Sequence, residues 1–494
     1  MESGSDHLLV LIHGLWGNAS HFDYILRAID QFYVFDDLEC EVDVSRGKEN
    51  RLGKLEYDPA CSEKSASERT SNAGKVRARR IQELRDAGLL AHNSKYRKPY
   101  VLVTRSNEGY MTYDGIDMCG EKVVYEVEQA LDSYEQQGIP INKISVVGYS
   151  LGGLMARYAI GILYQKGYFK KISPVNFATF CSPHIGVRDP GKNVPAALFN
   201  TLIPRTFSAT GRQLFMIDKF ATSQTPLLCL LADKSSVFFH ALTLFSNHAL
   251  YANITNDRRT SWFTAGISIT DPFVDLHQLD THCIKGYEPT ILDIADPVSR
   301  KPMEEPSSSF DVSSALVYKS TNPAFSVLPR FLKMMFELLV TTPIWVLAFF
   351  MSAAIQTFYS SRRLREFHSM RKGRYGLDEF RLLQLGEQAE DVVDSVLEGF
   401  APYNMSHHSI TVEDLVDDEE KEDDLTVRVK PLEVSSEQAE MIENLNTIRW
   451  KKFPVHITKT KAAHAAVIVR HMDWKGMEEG EVVIQHWLTE ILEV

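Results

Sequence analysis

The pentapeptide GYSLG at residues 148–152 is the part of this sequence best suited to chemistry. It follows the apolar run Ile144–Val147 and precedes a stretch of small residues, so a strand should end and a helix begin at Ser150. This is the context of a nucleophile elbow, in which a sharp turn holds a serine hydroxyl out at the edge of a sheet. Glycines on both sides of the serine allow strand and helix to approach closely. The pattern therefore predicts a nucleophilic serine at position 150.

A serine nucleophile also needs hydrogen-bond donors for the oxyanion that forms when it attacks an acyl carbon. A second glycine turn, HGLWG at residues 13–17, follows the apolar run Leu8–Ile12. In an α/β-hydrolase sheet this turn lies beside the elbow. We therefore expect the backbone amide of Leu15 or Trp16 to supply one donor and that of Leu151 the other.

The acid and the base of a triad should follow the serine in the order Ser, Asp, His. Asp257 comes directly after a predicted strand and is the preferred acid. Asp233 is its main rival, Asp271 and Asp275 are weaker ones, and each could instead be a turn or cap residue.

Four late histidines are candidates for the base: His456, His464, His471 and His486. His464 lies beside the last apolar run and before the final helical stretch, so it best fits the terminal position of the base. His471 follows the same run and is the closest competitor, whereas His486 fits packing on a helix face better. We therefore predict His464 as the general base.

The elements that must position these residues alternate between short apolar runs and helix-like stretches. The runs that predict buried strands are Leu8–Ile12, Tyr100–Val103, Ile144–Val147, Val175–Phe180, Leu250–Ile254 and Ala465–Val469. The predicted helices include Glu121–Gln137, Leu151–Lys166 and Glu478–Leu492. Alternation of this kind indicates an α/β-hydrolase fold, with a mostly parallel sheet covered by helices on both faces.

The composition argues against several classes of protein. Hydrophobic residues make up 44% and charged residues 24% of the 494 residues, which is typical of globular proteins and not of multi-pass membrane proteins. A net charge of -12 is unsuited to binding nucleic acid. The six scattered cysteines form no Cys-x-x-Cys pair and predict reduced thiols, with no metal site and no cofactor implied. The first residues do not resemble a secretory signal, so we expect the chain on the cytosolic side.

Three segments differ in composition from the rest. Residues 45–98 are polar and predict a mobile insertion, and residues 412–425 predict an acidic, solvated linker. Residues 338–361 contain no charge over 24 positions and are followed by an arginine-rich stretch, so they could associate with a membrane or form a buried helix. We expect residues 1–300 to hold the core with the nucleophile and the acid. Residues 325–375 would be the membrane-associating part, and 376–494 the linker and the rest of the core.

A single membrane crossing by the apolar segment would place His464 on the opposite side from Ser150. Proton transfer requires the two groups to lie within ~3 Å, so a shallow hairpin or an interfacial helix is preferred. Pro343 could supply the bend of a hairpin. We expect this segment to anchor the protein on a lipid droplet or on the cytosolic face of the endoplasmic reticulum.

Several blocks of the sequence resemble a family of fungal serine esterases that includes a yeast phospholipase of lipid droplets. The blocks are Leu8–Asn18, Ser106–Asp117, Ile144–Ile160, Phe180–Val187, Tyr251–Arg258 and His464–Arg470. The resemblance implies an α/β hydrolase that acts on phospholipids or related acyl esters, with Ser150 as nucleophile, Asp257 as acid and His464 as base. Residues 45–98 do not match the family pattern, and Arg259-Thr260-Ser261 replaces its usual Val-Pro.

The leading hypothesis is a phospholipase that works at a lipid surface. A neutral lipase, an acyl-thioesterase or a protein deacylase shares the same triad chemistry and remains an alternative. A catalytically silent lipid-binding scaffold is the alternative outside the enzyme class.

Overall fold

A computed structural model of the chain describes a set of residue ranges separated by gaps. These are residues 6–39, 98–191, 194–220, 225–273, 276, 279–295, 298–300, 351–352, 354–363, 365 and 431–493. The predictions for the insertion at 45–97, the acidic linker and residues 338–350 lie outside the described residues.

The strands among the described residues are β1 Asp6–Ile12, β2 Tyr100–Val103, β3 Ile141–Tyr149, β4 Ser173–Phe180, β5 Asn247–Asn253, β6 Leu279–Thr281, β7 Val298–Arg300 and β8 Trp450–Val455. Six of them run parallel in one sheet, in the order β2-β1-β3-β4-β5-β8, and the short strands β6 and β7 form a separate antiparallel ribbon. The predicted α/β class with a mostly parallel sheet is therefore confirmed.

Helices cover the sheet and connect its strands. They are α1 Asp23–Glu39, α2 Ile116–Gln136, α3 Leu151–Gln165, α4 Val194–Leu202, α5 Ser208–Leu214, α6 Leu227–Ala232, α7 Val237–Thr243, α8 Trp262–Ala265, α9 at the described residues 351–352, 354–363 and 365, α10 Ser436–Leu445, α11 Ala463–Ala466 and α12 Glu478–His486. Shorter 3-10 turns span Ala19–Phe22, Gly109–Asp114, Tyr168–Lys170 and Ile203–Arg205, and α12 continues into a π-helical turn, Trp487–Ile491.

The central strands contain mostly apolar runs because helices cover both faces of the sheet, although a few polar residues such as Ser145 and Asn176 are buried with them. Along β1, Leu8 and Val10 pack into one core cluster and Leu9 and Leu11 into the other, with 0–1% of each side chain exposed. Helices α2 and α3 contribute to the first cluster, and α1 and α12 to the second. The alternation follows from successive side chains of a strand pointing to opposite faces.

Five of the six predicted strands are confirmed, but the prediction of a strand at Ala465–Val469 is wrong. These residues continue from the short helix α11 into a turn, and Val469 has a positive φ of 55°. The run is apolar because most of it is buried in the second core cluster, and a short buried helix cannot be distinguished from a strand by such a run. The sixth strand is β8, which carries lysines and a proline because it pairs only with β5 and forms an edge of the sheet.

Only the C-terminal part of the apolar segment lies among the described residues, where it forms helix α9. Within the described ranges, no helix combines the length and apolar character needed to cross a membrane.

Candidate active site

Ser150 lies at the sharp turn between β3 and α3. Its backbone adopts φ 55° and ψ -127°, an uncommon conformation for a residue with a side chain, and its amide donates to the Phe180 carbonyl at 2.8 Å. Glycine is required at both flanks. A Cβ atom on Gly148 would collide with the backbone of Gly153, and one on Gly152 would collide with the Ile12 carbonyl. The turn therefore has the close approach of strand and helix that the GYSLG pattern predicts.

His464 lies between Ser150 and Asp257. Its Nε2 is 2.9 Å from Ser150 Oγ, and its Nδ1 is 2.9 Å from Asp257 Oδ2. His464 is buried, and its imidazole stacks obliquely on the Tyr149 ring, with the ring centroids 5.2 Å apart. The Tyr149 hydroxyl also donates to the His464 carbonyl at 2.8 Å. Tyr149 thus holds His464 at its backbone carbonyl and on one face of its ring.

The turn after β5 holds the Asp257 carboxylate in place. Oδ1 accepts the amides of Arg259 at 3.0 Å and Thr260 at 2.9 Å, and Oδ2 accepts the Asn253 side-chain amide at 3.0 Å. Burial alone would raise the pKa of Asp257, but the facing His464 and these donors outweigh it and hold the pKa below its ordinary value. The carboxylate is therefore ionised at neutral pH and accepts a hydrogen bond from His464 Nδ1.

The HGLWG turn lies directly against the elbow. A Cβ atom on Gly14 would be 2.7 Å from the Cβ of Ser150 and 3.2 Å from its Oγ, so only glycine fits there. The Trp16 amide donates to Thr112 Oγ1 at 3.1 Å and is therefore engaged elsewhere. Leu15 is the better of the two expected donors in this turn. Leu151 is the first residue of α3, where an amide has no acceptor within the helix.

The rival acids and bases occupy other places. Asp233 ends α6 and accepts from Ser235, and Asp271 accepts the Phe273 amide, while burial raises the pKa of Asp271 to about 6. Asp275 is not among the described residues.

The three rival histidines have separate surroundings. His471 stacks on Trp474 at 4.1 Å, His486 Nδ1 pairs with the Tyr251 hydroxyl at 2.8 Å, and the His456 amide donates to the Thr290 carbonyl. In the described part of the chain, His464 is the histidine that contacts Ser150 Oγ.

Cys181 is a neighbour of the site that sequence reasoning did not single out. It follows β4 with a positive φ of 47°, and its thiol, Asp257 and His464 each place one potential ligand atom within 4.8 Å of the others. Burial, and then the charge of Asp257, raise the pKa of the thiol well above its ordinary value. A metal ion binds the deprotonated thiolate, a form that the raised pKa disfavours. Asp257 and His464 are already hydrogen-bonded to each other. The donor set therefore fits a neutral thiol packed behind the acid better than a metal centre.

A serine on a strand-to-helix elbow, bonded to a histidine that is bonded to an aspartate, is the arrangement found in serine hydrolases of the α/β class. Residues 83–268 match the family model described as "Putative serine esterase (DUF676)", so this part of the chain is similar to that family. The resemblance to serine esterases is thereby confirmed. The matched range includes Ser150 and Asp257 and ends before His464.

Three yeast proteins are similar to parts of the chain. "Putative lipase C4A8.10" of Schizosaccharomyces pombe is 34% identical over 131 residues, which is 26% of this chain and 16% of that protein. "Putative lipase ROG1" of Saccharomyces cerevisiae is 30% identical over 194 residues, which is 38% of this chain and 26% of that protein. "Putative lipase YDL109C" of the same yeast is 28% identical over 203 residues, which is 40% of this chain and 30% of that protein. The chain thus matches less than a third of each relative, and no solved structure matches it.

Proposed function

We propose that this protein is a serine hydrolase that cleaves acyl esters of phospholipids at a lipid-droplet or endoplasmic-reticulum surface. The observation that carries the proposal is the unbroken line of hydrogen bonds from Ser150 through His464 to Asp257. The family match supports a hydrolase of the esterase or lipase type.

In the proposed reaction, His464 Nε2 takes the proton of Ser150 Oγ as this oxygen attacks the acyl carbon. The amides of Leu15 and Leu151 donate to the oxyanion that develops on the former carbonyl oxygen. His464 then gives the proton to the leaving alcohol, which leaves an acyl-enzyme. Water, activated by the same histidine, attacks the acyl-enzyme and releases the fatty acid. The Asp257 carboxylate remains ionised and stabilises the imidazolium throughout.

The runner-up is a neutral lipase, because the relatives are described as lipases and the same triad would cleave a triacylglycerol. The triad does not distinguish a phospholipase from a neutral lipase, so the two must be distinguished by their substrates. Purified full-length protein should therefore be compared on phosphatidylcholine vesicles, emulsified triolein and a fatty-acyl thioester. A higher kcat/KM on the vesicles is expected; preference for triolein would replace phospholipase by lipase.

The triad itself is tested with a fluorophosphonate probe and with Ser150→Ala. The substitution should abolish labelling and lower kcat on the order of 10⁴-fold or more, because no other group supplies the nucleophile. Ser133→Ala, on the exposed end of α2, is the matched control and should behave as wild type. Labelling that persists in Ser150→Ala would overturn the assignment of the nucleophile. A folded wild-type protein that does not label would favour a lipid-binding scaffold.

A further inference from the structure

Helix α4 exposes its apolar side. Val194, Leu198 and Leu202 recur every four residues and are 81%, 57% and 43% exposed, which places them in one stripe along the helix. The helix contains no charged residue. A surface helix ordinarily buries its apolar stripe and exposes charge, so α4 has the reverse arrangement.

Helix α9 has the same reversed arrangement. Met351, Ile355 and Phe358 are 60%, 50% and 62% exposed, and Tyr359 beside them is 43% exposed. Their spacing of three and four residues again places them on one side of the helix.

The opposite side of α9 is held on the protein by polar contacts. The Arg363 guanidinium donates to both oxygens of Asp114, at 2.7 and 3.0 Å, and Asp114 is 0% exposed and also pairs with Lys122 at 3.2 Å. The Ser360 hydroxyl accepts from Ser208 at 3.1 Å and donates to the Tyr113 carbonyl at 3.3 Å. These contacts orient the helix so that its apolar stripe faces outwards.

The two stripes border the same corner of the molecule, which lies at the catalytic edge of the sheet. Ile203 directly follows α4 and packs against the cluster of Trp16, Tyr113 and Phe207, and Tyr113 contacts α9 through Ser360. Trp16 belongs to the turn that lies against Ser150. The surface next to the proposed site is therefore apolar on both helices.

We infer that the exposed stripes of α4 and α9 form one docking surface for a phospholipid layer, which presents Ser150 to its substrate. The inference deepens the proposed function and relies on it for the class of lipid. Two features favour a lipid layer over a protein. Residues 338–350, which lead directly into α9, are uncharged, and the exposed side chains of Arg362 and Arg365 follow the apolar stripe, where anionic headgroups would lie.

Flotation of the full-length protein with phosphatidylcholine/phosphatidylserine vesicles tests the surface. The double variant Leu198→Glu/Phe358→Glu should lower the vesicle partition coefficient at least about tenfold, because two apolar side chains are replaced by charges that resist entry into the lipid layer. The matched control is Leu244→Glu, at a residue 39% exposed that precedes β5 and so lies at the opposite edge of the sheet. It should bind as wild type.

Hydrolysis of a short-chain soluble ester, measured in parallel, separates docking from chemistry. The double variant should keep wild-type activity on this ester and lose activity on vesicles. Wild-type vesicle binding by the double variant, or an equal loss in Leu244→Glu, would overturn the docking surface. Loss of self-association instead of vesicle binding would assign the stripes to a second copy of the chain. A wild type that binds vesicles but cleaves no ester would contradict the proposed function and leave the docking surface standing.

Discussion

At the residue scale, Asp257 determines which nitrogen of His464 faces Ser150. The carboxylate accepts from Nδ1, which leaves Nε2 free of its proton and able to accept the serine proton. Three donors on the same carboxylate, from Asn253, Arg259 and Thr260, fix its direction.

Asp257→Asn should therefore lower kcat on the order of 10⁴-fold while KM changes little, because an amide nitrogen facing Nδ1 favours the wrong tautomer. The measurement is steady-state hydrolysis of a soluble ester. Thermal unfolding of the same protein should show a folded molecule, since asparagine has nearly the same shape. A rate within tenfold of wild type would mean that Asp257 is not the acid of the triad.

At the element scale, one buried carboxylate receives the charged hydrogen bonds that attach α9, and Ser360 adds neutral ones. Asp114 ends the turn that follows β2 and holds both Arg363 and Lys122. Removing one partner of a buried ion pair typically lowers the free energy of unfolding by about 3–5 kcal/mol. The Arg363 contact should accordingly keep α9 on the protein.

Arg363→Gln should loosen α9, and hydrogen exchange of residues 351–365 should become much faster, because the charged hydrogen bonds from the guanidinium to Asp114 are lost. Arg365→Gln is the control. Its side chain is exposed and donates to the Ser361 carbonyl of its own helix at 3.3 Å, so exchange should stay near wild type. Equal exchange rates in the two variants would show that other contacts hold the helix.

At the scale of the whole molecule, several buried histidines make folding sensitive to acid. Burial lowers the pKa of His7, His13 and His486 to about 4 from a usual 6.5. Between these pH values the unfolded chain binds more protons than the folded one, so stability is full above about pH 7 and is lost as the pH falls towards 4.

Each of these histidines should lower the free energy of unfolding by about 1.4 kcal/mol per pH unit across that window. Urea unfolding at pH 7.5, 6.0 and 5.0 measures the slope. His486→Gln should lose stability at pH 7.5, because the Tyr251 hydroxyl loses its partner, but show a shallower slope. His240→Gln, at an exposed position, is the control for the substitution itself and should keep the free energy of unfolding at pH 7.5 near that of the wild type. A slope in His486→Gln identical to that of the wild type would contradict the lowered pKa of His486.

The sequence alone determined the features that depend on neighbouring residues. The elbow at Ser150 could be predicted because its signature lies within one short stretch, in which Gly148 is demanded by the close approach of strand and helix. Gly152 is demanded by the end of β1, but it belongs to the same five-residue pattern. Five strands could be predicted because each contains a short, mostly apolar run, and four of them lie inside the sheet, where helices cover both faces. Asp257 and His464 were preferred over their rivals because each lies beside a predicted strand and the two follow Ser150 in the expected order.

Tertiary structure alone decided the features that depend on distant parts of the chain. The sixth strand escaped prediction because an edge strand tolerates Lys451, Lys452 and Pro454, whereas the buried run after His464 imitates a strand. Pairing of β8 with β5 carries His464 to Asp257, 207 positions away, and to Ser150, 314 positions away. The engagement of the Trp16 amide by Thr112 likewise joins two loops. No local pattern encodes such contacts, because they form only when the strands take their order in the sheet.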